Sequence, residues 1–454
     1  MKVHFIAVGG AAMHNLAIAL HLKGYQITGS DDEIFDPAKT RLEKYGLLPA
    51  EYGWFPERLD YRPDAIILGM HAKADNPELL RAREMGLKIY SFPEYLHEQA
   101  KDKTRVVIGG SHGKTTITAM ILHVLKYAGI ETDYMVGAQL EGFDVMVRLS
   151  DTARFMVFEG DEYLTSALDR RPKFHVYMPD IALISGIAWD HVNVFPTFEE
   201  YVELFRVFAS MLPNGGKLIY CAEDKEVSAV ADSLHQEIEK LPYHLPEYTV
   251  DNGITKLKNG EGETPLLIFG HHNMLNLEGA RLVCEAMGVS SAVFYEAIAS
   301  FAGASKRLQT IGTGKDCAIY SDFAHSPSKL KATIHAVKEQ FPGRKLTACM
   351  ELHTYSSLSA GFLGEYEGSM DEADTAIVYY SRHALQLKRL PDLSPEDVGK
   401  AFGKDDIQVF NDGEKLREYL FSLRGKHSNL LMMSSGNFDG TDLKALAASY
   451  TSGN

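Results

Sequence analysis

One short segment constrains the fold of this 454-residue chain more than any other: Gly110-Ser-His-Gly-Lys-Thr-Thr116. The apolar stretch Arg105-Val-Val-Ile108 precedes it, and an amphipathic helical pattern follows it to about Tyr127. Glycines allow backbone N–H groups to converge on phosphate oxygens, and the following helix presents the positive end of its dipole. The segment therefore predicts a phosphate-binding loop between a strand and a helix, although Ile108 stands where a full P-loop pattern has glycine.

The chemistry of each loop residue suggests a role. Lys114 can reach the terminal phosphates of a nucleotide, and the Thr115 hydroxyl can bind the Mg²⁺ that accompanies them. The alternative is a glycine-rich turn that contains a lysine by chance, and the flanking strand and helix argue against it. The other loop residues expected to line the phosphate pocket are Gly110, Ser111, His112, Gly113 and Thr116.

A carboxylate, Glu159, ends a later apolar strand. A nucleotide site needs acidic or neutral ligands for the metal that offsets phosphate charge. His191 follows the next predicted strand, and the carboxyl ends of neighbouring parallel strands meet at one edge of a sheet. We therefore predict Thr115, Glu159 and His191 as magnesium ligands. By itself, a strand-end acid is more typical of a helix cap, and a lone histidine is more typical of a structural role.

The chain is too long for a single ordinary core, and a strand, a turn and a helix recur at the start of three blocks. Alternating strands and helices indicate the α/β class, with a mostly parallel sheet covered on both faces. We predict a Rossmann-like N-terminal domain over residues 1–102, a central P-loop ATPase domain over 103–309 and a Rossmann-like C-terminal domain over 310–454.

A second glycine turn, Gly9-Gly10-Ala11-Ala12-Met13, follows the first predicted strand, Val3–Val8. Asp31 lies about twenty residues further on and mimics the ribose-binding acid of dinucleotide enzymes. Ala7 and Ala12 stand where the outer glycines of the NAD fingerprint would fall, so that fingerprint is degraded. An open turn at a helix N-terminus accepts any diphosphate, including the pyrophosphate of a UDP-sugar.

Composition and charge limit the partners of the chain. A formal net charge of −15 makes nucleic acid a poor partner, and no apolar run is long enough to cross a bilayer. The four cysteines are scattered without a CxxC pair, which fits a reducing compartment. Because Gly9-Gly10 and His14-Asn15 interrupt the apolar N-terminal stretch, we expect no signal peptide. We expect a cytoplasmic protein with no nucleic-acid, membrane or obligatory protein partner.

Six motifs, in this order and with these separations, resemble those of the Mur ligase family. These are three-domain enzymes that add amino acids or peptides to peptidoglycan precursors, and the resemblance extends over nearly the whole chain. The motifs are Gly110-Ser-His-Gly-Lys-Thr-Thr116, Glu159-Gly-Asp-Glu162, Asp190-His191, His272-Asn-Met-Leu-Asn276, Lys306-Arg307 and Asp322-Phe-Ala-His-Ser-Pro327.

This resemblance implies a ligase that uses ATP and Mg²⁺, with Lys114, Glu159, His191 and Arg307 as catalytic residues. Arg307 matches an arginine that reaches the ATP phosphates in the family. The further ATP contacts that the resemblance implies are Asn273, Asn276, Asp322 and His325. The UDP-sugar contacts that it implies are Gly9, Gly10, Ala11, Ala12, Met13, Ser30, Asp31 and His71.

Two branches of the family accept UDP-N-acetylmuramate. One adds L-alanine, and the other adds the recycled tripeptide L-alanyl-γ-D-glutamyl-meso-diaminopimelate. The segments Asp161–Phe174 and Met433–Gly440 are more similar to the recycling branch. No lysine lies between Lys173 and Lys217, where branches that act on longer precursors commonly carry a carbamylated lysine. The resemblance therefore implies a tripeptide acceptor.

Several positions depart from the family pattern. Gly186 and Ala188 replace an asparagine and a glutamate, and Ser326 replaces the second histidine of a typical His-His-Pro. His353 stands near an arginine of the acceptor-binding segment in the recycling branch. Candidate substitutes for that cation are Arg382, His383 and Lys388.

The implied reaction consumes ATP because an unactivated carboxylate is a poor acylating agent. The lactyl carboxylate attacks the γ-phosphate to give an acyl phosphate and ADP, and the amine then displaces phosphate. Lys114, Mg²⁺ and Arg307 would spread the developing charge. Three alternatives stay open: a UDP-N-acetylmuramate–L-alanine ligase, a non-catalytic UDP-sugar-binding protein, and an NAD-dependent enzyme that uses the N-terminal block and leaves Lys114 unexplained.

Overall fold

A computed structural model describes residues 1–70, 72–138, 143, 145–166, 169–189, 194–260, 262–304 and 307–452. The chain divides into two compact units. The first unit comprises Met1–Ile187, Glu199–His244 and Gly279–Phe294, and the second comprises Ala188–Phe198, Leu245–Glu278 and Tyr295–Asn454. The domain boundaries expected after residues 102 and 309 stay a prediction. Within the described ranges, no helix has the length and apolar character needed to span a membrane.

The first unit begins with a small parallel sheet. Its strands are β1 (Lys2–Ile6), β2 (Gln26–Ser30), β3 (Ala65–Leu68) and β4 (Ile89–Ser91). The helices of this region are α1 (Ala11–Leu22), α2 (Ala38–Lys44), α3 (Pro77–Glu84) and α4 (Phe92–Ala100), with a 3-10 helix at Pro56–Leu59. The strand order β2-β1-β3-β4 places the turn after β1 beside the end of β2.

A seven-stranded sheet follows in the same unit. Its strands are β5 (Thr104–Gly109), β6 (Thr132–Met135), β7 (Val147–Arg148), β8 (Phe155–Glu159), β9 (Ile181–Ile184), β10 (Lys217–Cys221) and β11 (Glu239–Tyr243). Its helices are α5 (Lys114–Tyr127), α6 (Lys173–Val176), α7 (Phe198–Ser210) and α8 (Lys225–Asp232). The order is β11-β10-β9-β5-β8-β6-β7, parallel except for the β6–β7 pair. Because β5 lies between β8 and β9, the ends of those two strands flank the loop after β5.

The second unit contains a three-stranded antiparallel sheet and a six-stranded sheet. The first has β12 (Tyr248–Asp251), β13 (Ile254–Asn259) and β14 (Gly262–Leu266). The second has β15 (Gln309–Thr313), β16 (Ala318–Asp322), β17 (Lys345–Leu352), β18 (Thr375–Tyr380), β19 (Gln408–Phe410) and β20 (Ser428–Met433). Its order is β15-β16-β20-β17-β18-β19, and its pairs are parallel except for β15 with β16.

The helices that accompany these sheets are α9 (His271–Ala286), α10 (Ser291–Ile298), α11 (Pro327–Gln340), α12 (Arg382–Leu387), α13 (Pro395–Phe402), α14 (Gly413–Ser422) and α15 (Leu443–Thr451), with a 3-10 helix at Leu363–Tyr366. Two of them, α9 and α10, contain residues of both units. The expected α/β class with mostly parallel sheets is confirmed.

The helix after the phosphate loop shows why the sequence pattern predicts these elements. The apolar side of α5 is buried at the positions expected from helical spacing, including Ile117, Met120 and Val124. Gly129 follows the helix with φ +69°, a left-handed conformation that favours glycine and is common directly after a helix. A rigid strand and a rigid helix thus hold the loop from both sides.

A buried polar pair anchors the N-terminal sheet. Glu78 in α3 and His4 in β1 are both fully buried, and His4 Nε2 lies 3.2 Å from a carboxylate oxygen of Glu78. The other carboxylate oxygen accepts the N–H of Phe55 at 2.7 Å. Removing a partner from such a buried network leaves unpaired polar groups, which is costly.

We expect Glu78→Ala to reduce the stability of the protein by about 3 kcal/mol, because His4 and the Phe55 N–H lose their acceptor. Thermal and urea unfolding would measure the change. The matched control is Glu84→Ala on the same helix, whose carboxylate is 70% exposed and pairs with Arg81 at 3.7 Å. Equal effects of the two substitutions would contradict the importance of the buried pair.

Candidate active site

The turn after β5 is fastened to the end of β9. The Ser185 N–H donates to the Gly109 carbonyl at 3.1 Å, and the Ser185 hydroxyl donates to the His112 carbonyl. In the opposite direction, the Ser111 N–H donates to the Gly186 carbonyl at 2.9 Å. The loop between β5 and α5 is therefore held in one shape by a neighbouring strand.

Two glycines in this turn are required by its geometry. Gly110 has φ +129°, and a Cβ at this position would lie 2.1 Å from the Ser185 hydroxyl oxygen. Gly113 has φ +76° and precedes the first residue of α5. Ile108, where a full P-loop has glycine, is fully buried in β5, and its carbonyl accepts the Gly160 N–H at 2.8 Å. The departure at Ile108 therefore belongs to the strand and leaves the turn intact.

Lys114 is held by two oxygen acceptors inside the site. Its Nζ donates to the Gly110 carbonyl at 2.6 Å and to a carboxylate oxygen of Glu162 at 2.6 Å. Burial by itself lowers the pKa of Lys114, but the carboxylates of Glu162, Asp161 and Glu159 outweigh it and raise the pKa above its ordinary value. The side chain is therefore a cation in the folded protein.

The Glu162 carboxylate is itself held by an aromatic hydroxyl. The Tyr201 hydroxyl donates to the second carboxylate oxygen at 3.3 Å and lies 3.0 Å from the Ser111 hydroxyl. Glu162 is 2% exposed and Tyr201 is fully buried. These contacts consequently fix the orientation of the Glu162 carboxylate toward the Lys114 ammonium group.

Thr115 and Glu159, two of the predicted magnesium ligands, are in contact. The Thr115 hydroxyl donates to one carboxylate oxygen of Glu159 at 2.6 Å, and the Gly137 N–H donates to the other at 2.7 Å. Each carboxylate oxygen has two lone pairs, so each retains capacity for a further ligand. Carboxylate and hydroxyl oxygens together with substrate phosphates are the ligands that Mg²⁺ prefers. Thr115 and Glu159 therefore provide oxygen ligands of the kind that Mg²⁺ binds.

His191, the other predicted ligand, lies outside the described residues, as do Asp190 and Lys306 of the sequence motifs and the UDP-sugar candidate His71. Among the positions that the structure describes, no group of three or more histidine, cysteine or acidic side chains is arranged to hold a metal. A described metal site would thus consist of Thr115 and Glu159 alone.

The N-terminal turn has a polar side chain folded into it. The Asp31 carboxylate accepts the Gly9 N–H at 2.7 Å, and burial raises its pKa. Gly10 precedes the first turn of α1, which contains Ala11, Ala12 and Met13. The Ser30 hydroxyl lies 3.4 Å from a guanidinium nitrogen of Arg58, a cation that the sequence did not single out. The turn therefore combines an open helix N-terminus with one nearby cation, which suits a diphosphate.

The remaining nucleotide candidates lie in the second unit. Asn273 is buried and donates its side-chain N–H to the Phe269 carbonyl at 2.9 Å, and Asn276 is buried three residues later. Burial lowers the pKa of the neighbouring His272 to about 4, so this imidazole is neutral. These side chains form one face at the start of α9.

Arg307 and Asp322 are brought together at the end of β16. The Arg307 guanidinium lies 4.5 Å from the Phe323 ring centre, and the Asp322 carboxylate accepts the N–H groups of Leu308 and Ala324. Burial raises the pKa of Asp322, while Arg307 opposes that rise. The His325 ring donates from Nδ1 to the Phe323 carbonyl at 2.8 Å. These three candidates share one strand end.

Sequence reasoning missed several residues of the first unit that shape the site. Glu162 stood inside a quoted motif without a role, and Tyr201 comes from α7, whose sequence carries no motif. Only the sheet order, which places β9 beside β5 and β6 beside β8, reveals the contributions of Ser185 and Gly137. Paired loop contacts of this kind have no signature in a single sequence.

Comparison with known proteins gives matches along nearly the whole chain. Residues 2–104 match the family described as Mur ligase family, catalytic domain, residues 108–284 match Mur ligase middle domain, and residues 306–436 match Mur ligase, glutamate ligase domain. A UDP-N-acetylmuramate–L-alanine ligase from Caldicellulosiruptor bescii is 32% identical over 393 residues, covering 83% of each chain.

Two further matches have names that include a peptide. The UDP-N-acetylmuramate–L-alanyl-γ-D-glutamyl-meso-2,6-diaminoheptandioate ligase of Escherichia coli is 26% identical over 462 residues, covering 98% of each chain. The crystal structure of a murein peptide ligase from Psychrobacter arcticus matches 98% of this chain and 99% of its own, with a TM-score of 0.66 and 24% identity. The second match establishes a shared fold.

Proposed function

This chain belongs to the Mur ligase family, whose members are ATP-dependent ligases that form amide bonds in peptidoglycan synthesis, and we propose that it joins UDP-N-acetylmuramate to a peptide amine. The acceptor in this proposal is L-alanyl-γ-D-glutamyl-meso-diaminopimelate or a similar tripeptide. The observation that carries the proposal is the fixed loop around Lys114 beside the Thr115–Glu159 pair.

The first half-reaction uses the phosphate loop. The lactyl carboxylate attacks the γ-phosphorus, the bond to the bridging oxygen breaks, and ADP leaves an acyl phosphate behind. Lys114 would hold the γ-phosphate as negative charge builds on its oxygens, and backbone N–H groups at the start of α5 would bind the neighbouring phosphates. Arg307 would add a second cation. The amine then attacks the acyl carbon, and phosphate leaves.

Thr115 and Glu159 would hold Mg²⁺, with His191 as a further ligand. When bound, the ion would neutralise phosphate charge and align the γ-phosphate for attack. The N-terminal turn at Gly9–Met13, with Ser30 and Asp31, would bind the UDP part of the sugar. The cytoplasmic setting expected from the sequence belongs to the same proposal, and four buried cysteines without disulfides fit it.

A peptide acceptor with several carboxylates suits one edge of the six-stranded sheet. β17 and β18 are parallel neighbours, so His353 and Arg382 leave the sheet at the same edge. Arg382 and His383 are exposed in the first turn of α12, and Lys388 ends that helix half-buried. Open α/β sheets bind ligands outside the carboxyl ends of their strands. Arg382 and Lys388 would bind carboxylates of the tripeptide that free L-alanine lacks, and the two histidines would add hydrogen-bond donors.

L-alanine is the second candidate acceptor, because relatives named for both activities align over most of this chain. A non-catalytic UDP-sugar-binding protein differs from either ligase in one measurable respect. Such a protein would show no ATP hydrolysis, and no transfer of the γ-phosphoryl group, that depends on added UDP-N-acetylmuramate.

We expect Lys114→Ala to lower ATP consumption in the presence of UDP-N-acetylmuramate about a hundredfold or more, since the γ-phosphate loses the cation that would offset its charge. Because Glu162 also loses its partner, Lys114→Ala with Glu162→Gln serves as a second variant in which no carboxylate is left unpaired. Lys126→Ala, at an exposed position of the same helix, is the control. Near-normal turnover in the folded Lys114 variants would remove the phosphate-loop role.

We expect Glu159→Gln to raise the Mg²⁺ concentration needed for half-maximal binding of ADP by about tenfold, because the amide is a poorer ligand than the carboxylate. Calorimetric titrations of ADP at several Mg²⁺ concentrations would measure this shift without catalysis. Glu131→Gln, at an exposed carboxylate before β6, provides the control. An unchanged magnesium requirement would exclude Glu159 as a ligand.

We expect the tripeptide adduct to dominate when the enzyme receives UDP-N-acetylmuramate, ATP and equal concentrations of L-alanine and tripeptide. Mass spectrometry of the products would decide between the two acceptors. A dominant alanine adduct would overturn the acceptor assignment and leave the ligase mechanism in place.

Two variants test whether Arg382 contacts the tripeptide. Arg382→Ala should raise KM for the tripeptide by about tenfold, the loss expected for one charge-assisted contact, and leave KM for UDP-N-acetylmuramate unchanged. Lys345→Ala removes an exposed cation from the opposite end of β17 and should change neither value.

A further inference from the structure

The structure places the Glu162 carboxylate against Lys114 of the phosphate loop, and no sequence motif assigns Glu162 a role. We propose that Glu162 is a positioning residue for Lys114: it fixes the direction of the ammonium group and partly offsets the cation that nucleotide phosphates meet. This proposal rests on nucleotide use by the phosphate loop and does not depend on which amine is the acceptor.

The contact geometry supports a fixed direction for the lysine. An ammonium group has three hydrogens, and those of Lys114 include one on the Gly110 carbonyl and one on Glu162, both at 2.6 Å. A lysine side chain has four rotatable bonds, and two bonds to rigid acceptors define where its remaining hydrogen points. The Gly110 carbonyl belongs to the fixed turn, so the ammonium group is aligned with the loop itself.

The carboxylate side of the pair is equally constrained. Its second oxygen accepts from Tyr201, whose hydroxyl also contacts Ser111 of the loop. Glu162 therefore cannot rotate away from Lys114 without losing a buried hydrogen bond. This arrangement links the first residues after β8, the helix α7 and the phosphate loop through side chains alone.

The charges around Lys114 explain why Glu162 partly offsets its positive charge. The carboxylates of Glu162, Asp161 and Glu159 all act on Lys114, whereas Asp161 has a cation of its own in Lys173 at 2.6 Å. Charges interact strongly in a buried site because solvent screens them poorly. A phosphate that approaches Lys114 consequently meets a cation already paired with Glu162. Removal of that negative charge should strengthen phosphate binding, while loss of the fixed direction should slow the chemical step.

The test compares ADP binding and catalysis in Glu162→Gln. Calorimetry with ADP in EDTA should give a Kd about tenfold lower than that of the unmodified protein, because the amide keeps the shape and removes the charge. With Mg²⁺ and substrates, kcat should fall while KM for ATP also falls. A residue that only stabilises the fold would not lower both parameters together.

Asp133→Asn is the matched control, because Asp133 is a fully buried carboxylate that pairs with Lys103 at 2.6 Å in the same sheet. Both substitutions should lower the melting temperature, but only Glu162→Gln should change the Kd for ADP. If Glu162→Gln does not fold, Glu162→Asp keeps the charge and shortens the side chain by one methylene. It should lower the Kd for ADP by about threefold, since the ion pair lengthens.

An unchanged or higher Kd for ADP in the folded Glu162 variants would falsify the proposal. Failure of the unmodified protein to bind ADP would instead contradict nucleotide use by the loop. A wrong acceptor assignment would leave these measurements unaffected, so the two proposals fail separately.

Discussion

The ion pair between Lys114 and Glu162 connects segments that lie 48 residues apart. It forms because β5 is flanked by β8 and β9, so that the chain leaving each strand arrives at the same edge. β9 supplies Ser185, which closes the turn, and β8 leads to Glu159 and Glu162, which face the first residues of α5. Without the parallel register of these three strands, the loop would be a glycine-rich turn with an unpaired lysine. The chemistry of the site therefore follows from sheet topology.

Much of this topology could be predicted from local pattern. The central strands of the parallel sheets are continuous apolar runs, such as Ile181–Ile184 and Ala65–Leu68, because both of their faces are buried. The antiparallel sheet of β12, β13 and β14 was not predicted from the sequence. Its strands contain many polar residues and are largely exposed or half-buried, as in Glu-Thr-Pro within Gly262–Leu266. Such segments look like loops until their hydrogen-bonded partners are known.

The residues of the site likewise fall into those that the sequence identified and those that it did not. A motif identifies Thr115 and a strand end identifies Glu159 as candidate magnesium ligands, and the structure places their side-chain oxygens 2.6 Å apart. Tyr201 could not be anticipated, since an aromatic residue in an amphipathic helix is more often part of the core. It is in fact fully buried, and only its hydroxyl reaches the site. Side chains that serve both the core and the site carry no distinct sequence signal.

The departures from the family pattern bear on whether the chain is an enzyme or a binding protein. At Gly186, a Cβ would lie 3.3 Å from an Asp224 carboxylate oxygen and 3.6 Å from the His112 ring. That same oxygen accepts the Ile187 N–H at 2.8 Å, while the other caps α8. Gly186 thus leaves room for the Asp224 carboxylate, which accepts the N–H of the next residue, Ile187.

A chain that had lost nucleotide chemistry would have no reason to keep a glycine with φ +129° at Gly110 or a half-buried cation beside three carboxylates. Both features are unfavourable for stability alone, because a glycine loses more backbone entropy on folding than other residues and the ion pair removes charges from water. Their retention beside a locally compensated departure favours a working ligase over a UDP-sugar-binding protein. His353 and Arg382, the proposed acceptor contacts, belong to the six-stranded sheet, whereas the phosphate loop belongs to the seven-stranded sheet, so the proposed acceptor contacts and the loop come from separate sheets.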